Sequence, residues 1–141
     1  ITVEGGAELR GIEIDCSGTP DAVPALAVLG CKAKGKTVLY NISACRLKET
    51  DRAKSIMAEL TKMGAKLEET NDTLTIHHSD LKGAFIDGRH DHRIVMASSV
   101  AAMIAEGPSV ITDAEFAAVS FPNYYESMKA LGASIDRLQS V

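Results

Sequence analysis

Cysteine is scarce in this chain, and its pattern excludes several classes of protein. Cys16, Cys31 and Cys45 form neither a Cys-x-x-Cys pair nor a zinc-ligand spacing. Their odd number argues against a disulfide framework, so a reducing, cytoplasmic setting is expected. No apolar run approaches the ~18 residues of a membrane-spanning helix. The net charge of −4 gives no reason to expect a nucleic-acid or anionic-membrane surface. Neither Gly-x-Gly-x-x-Gly nor the phosphate loop Gly-x-x-x-x-Gly-Lys-[Ser/Thr] is expected, so nucleotide-binding fingerprints are read as absent. There is also no Gly-x-Ser-x-Gly nucleophile turn. Ile1-Thr2-Val3-Glu4 does not read as a signal peptide, and the missing initiator Met suggests a piece of a longer protein.

What remains is a chain of 141 residues, 45% hydrophobic, which suffices for one domain or part of one. Its two halves read alike. The first opens with strand-like Gly11-Ile12-Glu13-Ile14, ending in Asp15. Thr19-Pro20-Asp21 suits a helix opening, with Thr19 as the cap, and an apolar helix from about Ala22 to Ala33 follows. Lys36 to Tyr40 reads as a strand, and Ala53, Ile56, Met57, Leu60 and Met63 have helical spacing. Ala65 to Glu68 and Thr73 to Ile76 alternate as a hairpin around Asn71-Asp72. The second half repeats the order. Ala84-Phe85-Ile86 leads to Asp87, and Asp91 can cap an apolar helix from Ile94 to Ala105. Ser109 to Thr112 is a strand, and Ser120 can cap a last helix that ends at Gly132. Asp15 to Asp87 and Gly35 to Gly107 share one spacing of 72 residues. The expectation is two copies of a β-α-β-α-β-β unit, at about residues 10–77 and 83–139. The first helix of each half is apolar almost all round, which places it inside the domain. The expected fold is therefore α/β (α+β) and inside-out: a barrel-like domain with buried helices and sheets outside them.

Charged residues collect where these elements begin. Arg46-Leu47-Lys48-Glu49-Thr50-Asp51-Arg52 stands between a strand and a helix, and His90-Asp91-His92-Arg93 precedes the second buried helix. The bland reading is a pair of solvated helix starts with local ion pairs. The sharper reading is an anion site, because helix N-termini favour anions and Arg52 and Arg93 can each grip carboxylate or phosphate bidentately. Asp15 and Glu49 would then handle protons, with Lys48 tuning them or acting itself. The histidines flanking Asp91 lack a third spaced ligand, so no metal is expected. His77 and His78, at a strand end, read as surface residues.

Several motifs resemble one family in order and spacing: Asp15 with Pro20-Asp21, Asn41, Lys48-Glu49-Thr50-Asp51-Arg52, His90-Asp91-His92-Arg93 with Met96, and Ser120-Phe121-Pro122. The family is 5-enolpyruvylshikimate-3-phosphate synthase, also called 3-phosphoshikimate 1-carboxyvinyltransferase and known as the glyphosate target. The likeness runs over essentially the whole chain, which would be about a third of a member and part of its C-terminal domain. It implies transfer of the enolpyruvyl group of phosphoenolpyruvate to the 5-hydroxyl of shikimate 3-phosphate, releasing phosphate, with no metal or organic cofactor. By motif position, Asp15 would contact ring hydroxyls and act as base, Lys48 would sit between the substrates, and Glu49 would exchange a proton at the methylene carbon. Arg52 and Arg93 would hold phosphoenolpyruvate, and His92 would line the same pocket. The partners implied are the two substrates and the missing N-terminal domain of the same chain, with no nucleic acid or membrane, in a monomer. Alone, Lys48, Glu49 and Arg52 would face solvent, and the fragment would be inactive. Val119 stands where many members carry Lys, and Ala44-Cys45 where many carry Asn-Trp. The alternatives are the sister enzyme that acts on UDP-N-acetylglucosamine and a non-catalytic anion-binding module.

Overall fold

Strand β1 (Glu13–Asp15) lies parallel to β2 (Lys36–Tyr40), with Ile14 beside Leu39. Parallel neighbours cannot be joined by a tight turn, and helix α1 (Val23–Lys32) makes the crossover. Helix α2 (Arg52–Lys62) follows, then the hairpin of β3 (Lys66–Glu69) and β4 (Thr73–His77). β4 pairs antiparallel with both β3 and β2, so the sheet order is β1-β2-β4-β3. The second half holds β5 (Phe85–Ile86), α3 (His92–Ile104), β6 (Val110–Ile111) and α4 (Tyr124–Ala130), with β5 and β6 parallel. This computed structural model describes residues 2–138.

The halves repeat at a shift of 72. Glu13 faces Val38 as Phe85 faces Val110, and the bridge Arg10–Lys34 returns as Lys82–Glu106. Gly35 and Gly107 take φ of 87° and 86°, and Asn41 and Asp113 take 55° and 56°. α2 begins at Arg52 and α4 at Tyr124, again in step. The second copy is described only as far as Leu138, where the equivalent of Lys66, the first residue of β3, would stand. Among the described residues it has no counterpart of β3 and β4, and β6 keeps a free edge.

Two helix caps read from the sequence are also corrected. The Thr19 side chain makes no capping hydrogen bond to the 3₁₀ turn over Pro20–Ala22, and only its backbone carbonyl accepts, from the Ala22 N–H. α4 starts after Asn123 rather than at Ser120, since Pro122 lacks the N–H that a Ser120 cap would need. Asp91 caps α3 as expected, accepting from Arg93 N, and Asp51 caps α2 by accepting from Lys54 N.

Helices α1, α2 and α3 pack on one another, and strands of both sheets lie against them. Val23, Ala27, Ile56, Leu60, Ile94 and Ala101 meet Leu39, Leu74, Ile76 and Ile86 in one buried cluster. The all-round burial expected of α1 and α3 is not reached. Leu29, Val100 and Ile104 remain 49%, 40% and 41% exposed, so one side of the helix layer is uncovered by the described residues. No helix among these residues is long and apolar enough to cross a membrane.

Two glycines show why the repeat is so regular. A Cβ on Gly11 would sit 2.1 Å from the Lys36 carbonyl oxygen, and one on Gly83 would sit 2.0 Å from that of Pro108. Both are backbone atoms of the neighbouring strand and cannot swing aside. Gly11→Ala and Gly83→Ala should each lose about 1–3 kcal/mol of stability by forcing the strands apart. Urea midpoints unchanged by both substitutions would refute this.

Candidate active site

The polar clusters meet at the ends of β1 and β2 and at the N-termini of α2 and α3. Asp15 closes β1, where its Oδ1 accepts from Ser17 N at 2.9 Å and from Asn41 Nδ2 at 3.1 Å. The register brings these together, because Asp15 lies opposite Tyr40 and Asn41 turns left-handed just after it. The Ser17 N–H and then the Asn41 amide hold the Asp15 carboxyl below its usual range, although it lies open to solvent.

The charged heptad divides in two. Arg46, in a 3₁₀ turn over Ser43–Leu47, points away to the hairpin. It donates to both carboxylate oxygens of Asp51 at 3.0 Å, to Glu69, and to the carbonyls of Thr70 and Asn71. It therefore fixes the heptad to the β3–β4 turn. Lys48 and Arg52 converge instead on Asp21 Oδ1, at 3.3 and 2.7 Å. Burial raises the Asp21 pKa, but Lys48, Arg52 and Arg93 outweigh it and hold the carboxyl below its usual range.

Arg52 is only 1% exposed, which corrects the expectation that it faces solvent. Its Nε donates to Asp91 Oδ2 at 2.9 Å, Nη2 to Glu49 Oε2 at 2.5 Å, and Nη1 to Asp21. Thus one guanidinium joins three carboxylates. Asp91 is fully buried and also accepts from Thr50 Oγ1 at 3.0 Å and Arg93 N at 2.9 Å. Burial pushes the Asp91 carboxyl up, and the bonds from Arg52, the Arg93 N–H and Thr50 together pull it below its usual value. Glu49 is half-exposed, and its other oxygen lies 3.5 Å from His92 Nδ1. Arg93 Nε is buried without a hydrogen-bond partner.

The fold therefore gathers Lys48, Glu49, Arg52 and His92 into one network, with the Arg93 side chain beside it. Asp15 stands apart on Asn41, and no described contact joins it to Lys48. Sequence reasoning missed the second role of two residues. Asp21 stands in the sequence only as part of a helix opening and Asp91 as a cap, yet both are partners of Arg52. The signal available was their place in the same short motifs as the cations. A groove of about 1590 Å³ lies elsewhere, lined by Met103, Val110, Tyr125, Met128 and Leu131, and none of the candidate residues borders it.

One negative expectation needs correcting by letter. Gly30-Cys31-Lys32-Ala33-Lys34-Gly35-Lys36-Thr37 does match the phosphate-loop pattern Gly-x-x-x-x-Gly-Lys-Thr. Its context is reversed, however: Gly30 to Lys32 end α1, and Lys36-Thr37 begin β2. A phosphate loop requires a strand first and a helix after it. Gly30 is there for packing, since a Cβ would lie 3.1 Å from Ile76 and 3.2 Å from Thr37. Among the described residues, no group of three or more His, Cys, Asp or Glu could hold a metal ion.

The family model for EPSP synthase (3-phosphoshikimate 1-carboxyvinyltransferase) matches residues 1–128. The 3-phosphoshikimate 1-carboxyvinyltransferase of Halorubrum lacusprofundi is 50% identical over 133 residues, covering 93% of this chain and 29% of that protein. That of Methanocaldococcus jannaschii is 47% identical over 137 residues, covering 96% and 32%. The EPSP synthase of Acinetobacter baumannii superposes with a TM-score of 0.86 at 32% identity, over 94% of this chain and 32% of that one. The enolpyruvyl transferase NikO of Streptomyces tendae shares the fold at a TM-score of 0.75 and 20% identity, over 95% and 30%. The chain spans about a third of the length of the curated relatives it matches. With a family match over nearly its whole length and close likeness in both sequence and structure, the chain belongs to the EPSP synthase family.

Proposed function

We propose that this chain is part of the C-terminal domain of an enolpyruvyl transferase. The full-length parent would join phosphoenolpyruvate to the 5-hydroxyl of shikimate 3-phosphate and release inorganic phosphate. The observation that carries this reading is the convergence of Lys48 and Arg52 on Asp21, with Arg93 beside them, at two helix N-termini. Half-exposed Asp21 and Glu49 neutralise these cations until a carboxylate or phosphate arrives.

In the proposed reaction, Asp15 takes the proton of the 5-hydroxyl while that oxygen bonds to C2 of phosphoenolpyruvate. Glu49 delivers a proton to the methylene carbon, and the double-bond electrons form that new C–H bond. The product of addition is a tetrahedral ketal. The C–O bond to phosphate then breaks, Glu49 takes a methyl proton back, the C–H electron pair restores the double bond, and the proton held by Asp15 passes to the released phosphate. Lys48 lies between the substrates, His92 lines the pocket through its contact with Glu49, and Arg52 and Arg93 hold phosphoenolpyruvate.

The repeat units at about 10–77 and 83–139 would be two units of an inside-out domain. The mutual packing of α1, α2 and α3 between the sheets supports this. The uncovered Leu29, Val100 and Ile104 and the free edge of β6 support the reading that further parts of the parent complete it. The opposing N-terminal domain would supply the rest of the substrate contacts. Three unpaired, buried cysteines fit a reducing cytoplasmic setting. The test is product analysis. The parent should release phosphate and form the enolpyruvyl ether from phosphoenolpyruvate and shikimate 3-phosphate, and this chain alone should not. A parent that turns over UDP-N-acetylglucosamine instead, or binds phosphoenolpyruvate without consuming it, would overturn the proposal.

A further inference from the structure

Helix α2 holds a second buried ionic centre, two turns beyond Arg52. Glu59 is fully buried, yet its carboxylate accepts four hydrogen bonds. Oε1 takes Arg89 Nε at 3.0 Å and Nη2 at 2.8 Å, while Oε2 takes Asp87 N at 3.0 Å and Lys62 Nζ at 2.6 Å. Burial raises the Glu59 carboxyl, and Lys62, Arg89 and the Asp87 N–H together bring it below its usual value.

The partners of Glu59 lie on the turn from β5 to α3, and this turn is unusual. Arg89 and His90 both take left-handed φ, 54° and 52°. His tolerates that region fairly well, but Arg does not, and such a conformation persists only where its surroundings impose it. The same turn in the first copy holds Ser17 and Gly18, neither with a left-handed φ. There the chain passes through the 3₁₀ turn Pro20–Ala22, and α1 starts at Val23. In the second copy α3 starts at His92, three residues ahead of Val95, the position equivalent to Val23. Helical backbone thus begins at the same repeat position in both copies, but after the left-handed pair the first turn, with His92 and Arg93, is α-helical and capped by the Asp91 side chain, where the first copy has a 3₁₀ turn with no side-chain cap.

Charges are crossed over this turn. Glu59 of α2 holds Arg89, and Arg52 of the same helix holds Asp91. The far side is held by β6 and the residues that follow it. Gly88 N donates to Thr112 Oγ1 at 3.1 Å and His90 N to Asp113 Oδ2 at 3.1 Å.

We propose that Glu59, acting through Arg89, is a positioning residue that imposes the left-handed Arg89–His90 turn and so places Asp91, His92 and Arg93 against Arg52. The kinetic part of its test rests on the enolpyruvyl-transfer reading; the backbone part does not. In the full-length parent, Glu59→Gln should raise KM for phosphoenolpyruvate about tenfold or more, while KM for shikimate 3-phosphate changes less than about twofold. Amide exchange at Asp91 to Arg93 should quicken in parallel. The discriminating step is rescue by glycine, which needs no help to be left-handed. Glu59→Gln with Arg89→Gly should recover most of the lost phosphoenolpyruvate affinity and exchange protection, and Glu59→Gln with Arg89→Ala should not. If Glu59→Gln does not accumulate as folded protein, Arg89→Gly and Arg89→Ala in the otherwise native chain give the same comparison. Native kinetics and exchange in Glu59→Gln, or glycine no better than alanine, would overturn the inference. A parent inactive with both substrates would sink the functional reading alone, since the exchange comparison still reports on the turn.

Discussion

Glu49→Gln in the full-length parent is expected to lower kcat by about 10²–10⁴-fold, the range that a lost general acid–base group commands. KM for phosphoenolpyruvate should change little. The glutamine oxygen can still accept from Arg52 Nη2, which bonds Glu49 Oε2 in the native chain, so the Arg52 anchor survives. What disappears is a group able to give a proton to the methylene carbon and take one back. Glu49 is suited to that task because, of the carboxylates on Arg52, Asp91 is sealed from solvent while Glu49 stays half-open and in reach of His92. A direct readout is deuterium uptake from heavy water into the methylene group of phosphoenolpyruvate, which should vanish along with turnover. Normal kcat in Glu49→Gln would remove Glu49 from the mechanism.

The sequence made the repeat legible because backbone demands recur in it. Gly35 and Gly107 appear where a left-handed turn follows the helix, and Gly11 and Gly83 where strands touch. Asp15 and Asp87 close the first strand of each copy in the same way, each accepting from the N–H two residues on. The site was legible as clusters but not as a network. Arg46 and Arg52 look equivalent in the heptad, yet one anchors a hairpin and the other lies beneath carboxylates. What separates them is contact with Asp21 and Asp91, 31 and 39 residues away, and no local pattern encodes that. Glu59 escaped notice because a lone Glu on an amphipathic helix normally marks the solvated face. Only the position of the β5–α3 turn reveals that it is buried.

The largest stability effect is expected at Asp91. Asp91→Ala would leave Arg52, 1% exposed, facing an empty space on its buried side. Asp21 and Glu49 still pair it, so the expected cost is about 2–4 kcal/mol, below that of a wholly unpaired buried charge. Asp91→Asn should cost less, about 1.5–3 kcal/mol, since an amide oxygen in the Oδ1 position can still accept from Arg93 N, and the amide nitrogen can donate to Thr50 Oγ1, while the charge is lost. Urea midpoints should fall for both with unchanged slopes. The difference between native chain and Asp91→Asn should depend on pH. The Asp91 carboxyl sits below its unfolded value of about 3.9, so its contribution is complete above that pH and fades as pH falls through the lower folded value. The two urea midpoints should therefore converge in acid, and a difference that grew in acid would contradict the assignment. Replacing both partners, Arg52→Met with Asp91→Leu, separates structure from function. An apolar pair of similar volume is often as stable as a buried ion pair. The double variant should therefore regain most of the stability lost in Asp91→Ala, while the parent that carries it loses phosphoenolpyruvate binding. Recovery of stability without recovery of binding would mean that the buried pair serves the anion site rather than the fold.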